Sequence, residues 1–267
     1  MAIVIGDIHG DLTKARAFLD LEPAIEHVVL GDLIDSRKRA TFEGELACLE
    51  LLLESDAILI WGNHDLAYLP EEPWRISSEH AELSRDQASW YSAQSQFLDD
   101  LYNENGALYA KEVFRDRYLA NLNRFVAAHA ANGWLCTHAG VSPRVAELIP
   151  PEVKTSGTES IADWLNKEFG LELKIQQHQT SRYRRFGVGP LFQVPICRGG
   201  GEPFGGIFWY DYLGEMVDPD PSVGNQIFGH TPVPYPDQGT TWINLNASDE
   251  GMWVYDTETN LIFDAYR

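Results

Sequence analysis

Five times along this 267-residue chain a short apolar run ends, usually through a glycine, in a side chain able to hold a metal ion. The first is Ile3-Val4-Ile5-Gly6-Asp7, with His9 two residues on. Val28-Val29-Leu30-Gly31 leads to Asp32, and Ile58-Leu59-Ile60-Trp61-Gly62 leads to Asn63 and His64. Trp134-Leu135-Cys136 leads through Thr137 to His138, and Ile227-Phe228-Gly229 to His230. Apolar runs this short, bounded by glycine, read as buried strands of an α/β sheet. In such sheets the ligand crevice lies outside the carboxyl ends of the strands. Glycine at each exit is expected to let the backbone bend sharply and approach whatever is bound there. A single run of this kind reads as a turn with a bystander; five with one grammar read as a site.

The histidines divide the same way. Of the eight, His9, His64, His138 and His230 fall in these motifs. His27, His80, His129 and His178 lie in polar or helical contexts and read as packed or solvated side chains. Carboxylate oxygen, amide oxygen and imidazole nitrogen together suit divalent ions of intermediate hardness, such as Mn²⁺, Fe²⁺ or Zn²⁺.

Helical spacing of Leu12, Ala15, Phe18 and Leu19 predicts a helix immediately after the first motif, and FEGELACLELLLES (42–55) predicts another. This strand–helix alternation implies parallel strands with the ligands collected along one edge. The stretch 66–132 reads as mostly helical, with Leu119, Leu122, Phe125 and Val126 on one face and Gly133 as the stop. The stretch 141–205 mixes a short helix, SIADWLNKEF (160–169), with the loop-like RYRRFGVGP and ICRGGGEPFGG. Both are expected as insertions over the active-site edge of a single domain spanning 1–267. The tail from Thr240 reads as three strands, the last two joined at Thr257–Asn260, which would make the sheets mixed.

Composition narrows the function classes. Apolar content of 44% supports a substantial core, and no stretch approaches the roughly 20 apolar residues that span a bilayer. Because the chain enters a strand at once no signal peptide is expected, and its three cysteines are too scattered for a disulfide framework or a thiolate zinc site. A cytoplasmic, reducing setting is the expectation. A net charge of −20 argues against sequence-independent binding of DNA or RNA. It also repels anionic substrates, so phosphate would have to be captured by local cations.

In order, GDIHG, GDLID, GNHD, HAG and GHT resemble the signature of the calcineurin-like metallophosphoesterases. The closer likeness is to the branch of phosphoprotein phosphatases and symmetrical dinucleoside tetraphosphatases, to which CTHAGVSP (136–143) adds. Many members, nucleases included, end in G-H-x-H; here Pro232 stands where the second histidine would be, which favours the phosphatase branch. The resemblance implies a four-layer α/β/β/α sandwich with two mixed sheets and two divalent ions, manganese first, at the carboxyl ends of the strands. It implies that Asp7, His9 and Asp32 hold one ion and that Asp32, Asn63, His138 and His230 hold the other, with Asp32 bridging. It assigns His64 as general acid, oriented by Asp35, while a hydroxide attacks phosphorus in line with the leaving oxygen.

The likeness frays at phosphate binding. Family phosphatases read G-D-x-x-D-R-G, but Ser36 occupies the arginine position and Arg37 follows one residue late. Arg37 and Arg198 are the two candidate phosphate clamps, because a planar guanidinium meets phosphate oxygens in pairs. Arg182, Arg184 and Arg185 form a basic cluster that reads as a phosphate contact or a solvated face. The run FWYDY (208–212) reads as core before it reads as a base-stacking pocket, and NLNAS (244–248) replaces the family's N-I-D-T-G. The leading expectation is a phosphatase acting on phosphomonoesters, phosphoserine and phosphothreonine included. A dinucleoside polyphosphate hydrolase and an inactive binding module on the same scaffold are the alternatives. Partners are then phosphorylated small molecules, nucleotides or phosphoproteins, with no nucleic acid and no membrane.

Overall fold

The period-two burial of the first strands sets the architecture. Ile3, Ile5, Val29 and Leu59 pack into one core cluster with helical residues, whereas Val4, Val28, Leu30 and Ile60 pack into another with Cys136, Ile227 and Ile243. Successive side chains of a strand point to opposite faces. One sheet therefore presents one face to helices and the other to a second sheet. The computed structural model describes residues 1–35, 41–69, 106–176, 189–248 and 251–267.

In chain order the elements are β1 (Ala2–Ile5), α1 (Leu12–Asp20), β2 (Glu26–Val29), α2 (Phe42–Glu54), β3 (Ile58–Ile60) and α3 (Asn63–Leu66). Then come α4 (Gly106–Ala120), β4 (Phe125–Val126), β5 (Ala128–Ala131) and β6 (Trp134–Thr137). Three helices, α5 (Pro143–Ala146), α6 (Pro151–Thr155) and α7 (Thr158–Gln176), precede β7 (Asn225–Phe228), β8 (Asp237–Gln238) and β9 (Trp242–Asn244). The hairpin β10 (Trp253–Asp256) and β11 (Leu261–Asp264) closes the chain. The first sheet has the order β11-β10-β1-β2-β3-β4, and the second β5-β6-β7-β9-β8. Strands β1 to β4 run parallel, as do β6, β7 and β9, while β10, β11, β5 and β8 pair antiparallel. Both sheets are mixed, with α1 and α2 against the first and α7 against the second. This is the expected α/β/β/α sandwich.

Caps account for where the first helices start. Asp11 accepts from the Lys14 amide at 2.9 Å at the head of α1, and Thr41 accepts from Gly44 at 3.1 Å at the head of α2. Each cap satisfies an amide that the first helical turn leaves open. The end of α4 corrects the sequence reading. Phe125 and Val126 are not on a helix; they pair in parallel with Leu59 and Ile60, and 128–131 is a strand as well. The cause is non-local. The Arg124 guanidinium donates to the carbonyls of Leu53, Ser55 and Ala57, drawing the chain alongside β3 despite its helical spacing. The expected helix at 160–169 is real but longer, filling Thr158–Gln176. Much of the 66–132 stretch and the RYRR cluster with Arg182, Arg184 and Arg185 lie outside the described residues, as do His80 and His178.

Asn166 ties α7 to the second sheet. Its Oδ1 accepts from the amides of Ala127 and Ala128 at 2.7 and 3.1 Å, and its Nδ2 donates to Ala128 O at 2.8 Å. Both alanines are buried, so no water can substitute. Replacing Asn166 by leucine keeps the volume and strands two amides. Each buried unsatisfied group costs about 1–3 kcal/mol, so Asn166→Leu is expected to lower unfolding free energy in urea by about 2–4 kcal/mol. A loss under about 0.5 kcal/mol, the ordinary range of a surface change, would show that the bonds carry no net stability.

Candidate metal centre and active site

Asp7, Asp32 and Asn63 leave the carboxyl ends of β1, β2 and β3, and His138 and His230 leave those of β6 and β7. Parallel pairing within each sheet puts these exits on one edge. The sheet-on-sheet packing then brings the two sets face to face. Ligand atoms of Asp7, His9 and Asp32 lie within 4.8 Å of one another, and so do those of Asp32, His138 and His230. Asp32 belongs to both groups. Asn63 Oδ1 sits 2.9 Å from His138 Nε2 and 2.8 Å from His230 Nδ1. All six residues expected as ligands are thus gathered in one place.

The donor set fits divalent metal ions. His138 Nδ1 is 2.7 Å from the Leu30 carbonyl, to which it can donate, and its Nε2 lies 2.9 Å from Asn63 Oδ1, turned into the cluster. An imidazole nitrogen and an amide oxygen held this close are two ligand atoms that one cation could share. Asp7 and Asp32 are both buried, at 3% and 1% exposure. Two negative charges at most 4.8 Å apart repel by roughly 3–4 kcal/mol or more at an effective dielectric near 20. Asp32 Oδ2 is buried and has no hydrogen-bond partner among the described residues. A carboxylate oxygen out of water and without a donor needs a positive partner.

The backbone here is bent at the candidate site residues themselves. His9, Asp32, Asp35 and His230 have φ of 50°, 50°, 64° and 63°, in the left-handed region that side-chain-bearing residues avoid. Of the glycines that precede the ligands, only Gly31 shares that region, at 98°. This revises the expected part of the exit glycines. Gly62 is needed for close approach: a Cβ there would overlap the Asp32 backbone and carboxylate, with Cγ only 2.9 Å away. Strain of this kind persists only where surrounding bonds over-determine it. Those bonds are present. His9 N donates to Asp32 O at 2.8 Å, His230 N to Asp7 Oδ1 at 3.0 Å, and Asn246 Nδ2 to His230 O at 2.9 Å. Asn246 belongs to the unexpected NLNAS stretch, which here braces a ligand loop.

His64 lies at the rim of the cluster. Its amide donates to Asp32 Oδ1 at 2.9 Å, and its ring Nδ1 is 2.8 Å from Asp35 Oδ2. The opposite nitrogen, Nε2, faces Asp32 Oδ2 at 3.9 Å. Tyr68 Oη donates to the other oxygen of Asp35 at 2.7 Å. Burial works against the Asp35 charge, but the bond and charge of His64, with the Tyr68 bond, outweigh it and hold the carboxyl below its usual range. Asp65, fully buried, collects the amides of Asp32, Leu33 and Gly62 at 2.8, 3.0 and 2.9 Å, and the Tyr118 phenol at 2.5 Å. Burial and the neighbouring Asp32 push its carboxyl up to about 6 against those donors. Burial and the adjacent carboxylates raise both phenols well above their ordinary value, so each remains a donor. Asp65 follows His64 directly in GNHD and could have been singled out; nothing local in the sequence marks Tyr68 or Tyr118.

Of the two arginines, Arg198 is described and Arg37 lies outside the described residues. Arg198 Nε pairs with Asp211 Oδ2 at 2.7 Å, and Thr231 Oγ1, next to His230, donates to Asp211 Oδ1 at 3.3 Å. Arg198 is therefore linked to the cluster through Asp211. The FWYDY run is mostly core: Phe208 and Tyr210 are fully buried, while the Trp209 ring lies edge-on to His230 with centroids 5.7 Å apart. Lys14 Nζ donates to Asp7 O at 2.6 Å. His27 and His129 stand away from the ligands, as expected. His27 is buried against backbone carbonyls, and His129 is paired with Glu26 at 3.0 Å.

No curated protein sequence matches the chain. Among solved structures, it is similar to a crystal structure of a mutant cold-active protein tyrosine phosphatase. That likeness has 12% identity and a TM-score of 0.45, and it covers 95% of this chain and 73% of that one. The sequence profile of the calcineurin-like phosphoesterases matches residues 2–234. That span carries every candidate ligand from Asp7 to His230. The chain belongs to the calcineurin-like phosphoesterase family, enzymes that hydrolyse phosphoesters with divalent metal ions.

Proposed function

We propose that this chain is a two-metal phosphatase acting on phosphomonoesters, phosphoserine and phosphothreonine included. The observation that carries the reading is the membership of Asp32 in both ligand groups. One carboxylate shared between two sets of donors is the arrangement that holds two cations close together. Asp7, His9 and Asp32 would hold one ion; Asp32, Asn63, His138 and His230 would hold the other. Manganese is the first choice by hardness, with iron and zinc also suited to these donors. When bound, such ions supply positive charge for phosphoryl oxygens and a water of lowered pKa.

The chain's own groups do the rest. Bound to Asp35 through Nδ1, His64 keeps Nε2 directed toward the ligand cluster, where a leaving oxygen would need a proton. Asp35 fixes the ring's rotation and favours its protonated form. Arg198, held by Asp211 through Nε, would offer its terminal guanidinium nitrogens to phosphate oxygens in a chain whose overall field repels phosphate. Arg37 remains a second candidate clamp from its place in the sequence.

Proton donation matters most when the leaving group is strongly basic. His64→Asn is therefore expected to lower turnover by ~10²–10⁴ on an alkyl phosphate. On p-nitrophenyl phosphate, whose phenolate hardly needs a proton, the loss should be much smaller, with metal content unchanged. Equal losses on the two substrates would assign His64 to binding or positioning instead. Arg198→Ala is expected to behave differently. A lost charge-assisted bond is worth about 1.5–3 kcal/mol, so kcat/KM should fall about 10-fold or more on both substrates alike, chiefly through KM. An unchanged KM in that variant would remove Arg198 from phosphate binding.

A further inference from the structure

Behind the ligand cluster two tyrosine rings lie face to face, their centroids 5.7 Å apart and their planes inclined by 22°. Tyr68 comes from the turn after α3, and Tyr118 from the last turn of α4. Each phenol donates to a different carboxylate. Tyr68 holds Asp35 Oδ1, while Asp35 Oδ2 holds the His64 ring. Tyr118 holds Asp65, whose two oxygens gather the amides of Asp32, Leu33 and Gly62. One tyrosine is thus a single carboxylate away from the His64 imidazole. The other is a single carboxylate away from the backbone that presents Asp32 and leads into Asn63.

We propose that this stacked pair is the positioning layer of the site: Tyr68 sets the Asp35–His64 pair, and Tyr118 sets the two strand exits that carry Asp32 and Asn63. The inference rests on the reading of His64 as proton donor and Asp32 as shared ligand. A carboxylate bonded through one oxygen can still swing about its terminal torsion and take the imidazole with it; a second bond removes that freedom. The rings themselves are held by the core. Phe114 lies edge-on to Tyr68 with centroids 5.6 Å apart, and Trp61 and Phe125 lie 5.8 and 5.6 Å from Tyr118. Because Phe114 and Tyr118 both belong to α4, that helix is built into the geometry of the metal loop.

The test removes one oxygen at a time, with Tyr68→Phe and Tyr118→Phe. Turnover is measured on an alkyl phosphate and on p-nitrophenyl phosphate, and Mn²⁺ affinity by titration calorimetry of the metal-free chain. Residues that orient a site from behind typically contribute 10–100-fold. Tyr68→Phe is expected to lower turnover about 10-fold on the alkyl phosphate and little on p-nitrophenyl phosphate, with Mn²⁺ affinity within about 2-fold of the parent. In a His64→Asn background the same change should cost nothing more, because residues acting as one unit are not additive. Tyr118→Phe is expected to weaken Mn²⁺ binding about 10-fold and, at saturating Mn²⁺, to show no leaving-group bias. The ratio between two substrates in one preparation cancels any loss of folded protein. Equal losses on both substrates in Tyr68→Phe, an additive loss in the double variant, or unchanged Mn²⁺ affinity in Tyr118→Phe would each overturn the assignment. Absence of leaving-group bias in His64→Asn would remove the underlying reading of His64, and the Tyr68 assignment with it. Bias in His64→Asn without any in Tyr68→Phe would overturn the tyrosine's part alone.

Discussion

Asp32 is a buried carboxylate placed within reach of another carboxylate and four imidazoles, and the rest of the site is organised around that fact. The arrangement sets the carboxylate of Asp7 against that of Asp32, a repulsion that cations would offset. Folding brings these groups together because each is the next residue, or nearly so, after a strand that hydrophobic burial has already fixed. The strands cannot move apart to relieve the repulsion without exposing Val4, Val28, Leu30 and Ile60 and the facing residues of the second sheet. Fully burying an aliphatic side chain is worth about 1.5–3 kcal/mol. Together those four outweigh the few kcal/mol of repulsion, so hydrophobic burial alone can hold the cluster together.

The same accounting explains the strained backbone. Left-handed φ at His9, Asp32, Asp35 and His230 costs of the order of 1–3 kcal/mol each. It is held by a hydrogen-bond frame that runs from β1 to the loop after β9. Asp65 is the densest node of that frame: one buried carboxylate takes up three amides and a phenol, and it fixes the exits of β2 and β3 against each other. Its position next to His64 places the frame and the chemistry on the same short helix.

Much of this was legible in the sequence, for a physical reason. A metal ligand at a strand exit must follow its strand immediately, so strand, glycine and candidate ligand appear as one contiguous word, and the six residues that the structure gathers could be read from five such words. The mixed character of the first sheet followed from the tail's last two strands, whereas the second sheet is mixed by β5 and β8, which lie outside the tail. What escaped is non-local. Phe125 and Val126 have helical spacing, yet Arg124 reaches the carbonyls that end α2 and the open edge of β3 captures the pair. Tyr118 meets Asp65 across 53 positions, and Arg198 meets Asp211 in a loop without periodicity. The glycines misled in part, since the left-handed turns fall mainly on the ligands, and Gly62 is there to let Asp32 come close.

The central claim is that one carboxylate, Asp32, joins two metal ions. Electron paramagnetic resonance of the manganese-loaded chain reads that directly, because two Mn²⁺ ions sharing a ligand are magnetically coupled. The expected result is two Mn²⁺ per chain with an exchange-coupled spectrum, replaced in Asp32→Ala by an uncoupled spectrum and the loss of at least one ion. A single uncoupled Mn²⁺ in the parent chain, or a coupled pair that survives in Asp32→Ala, would contradict it.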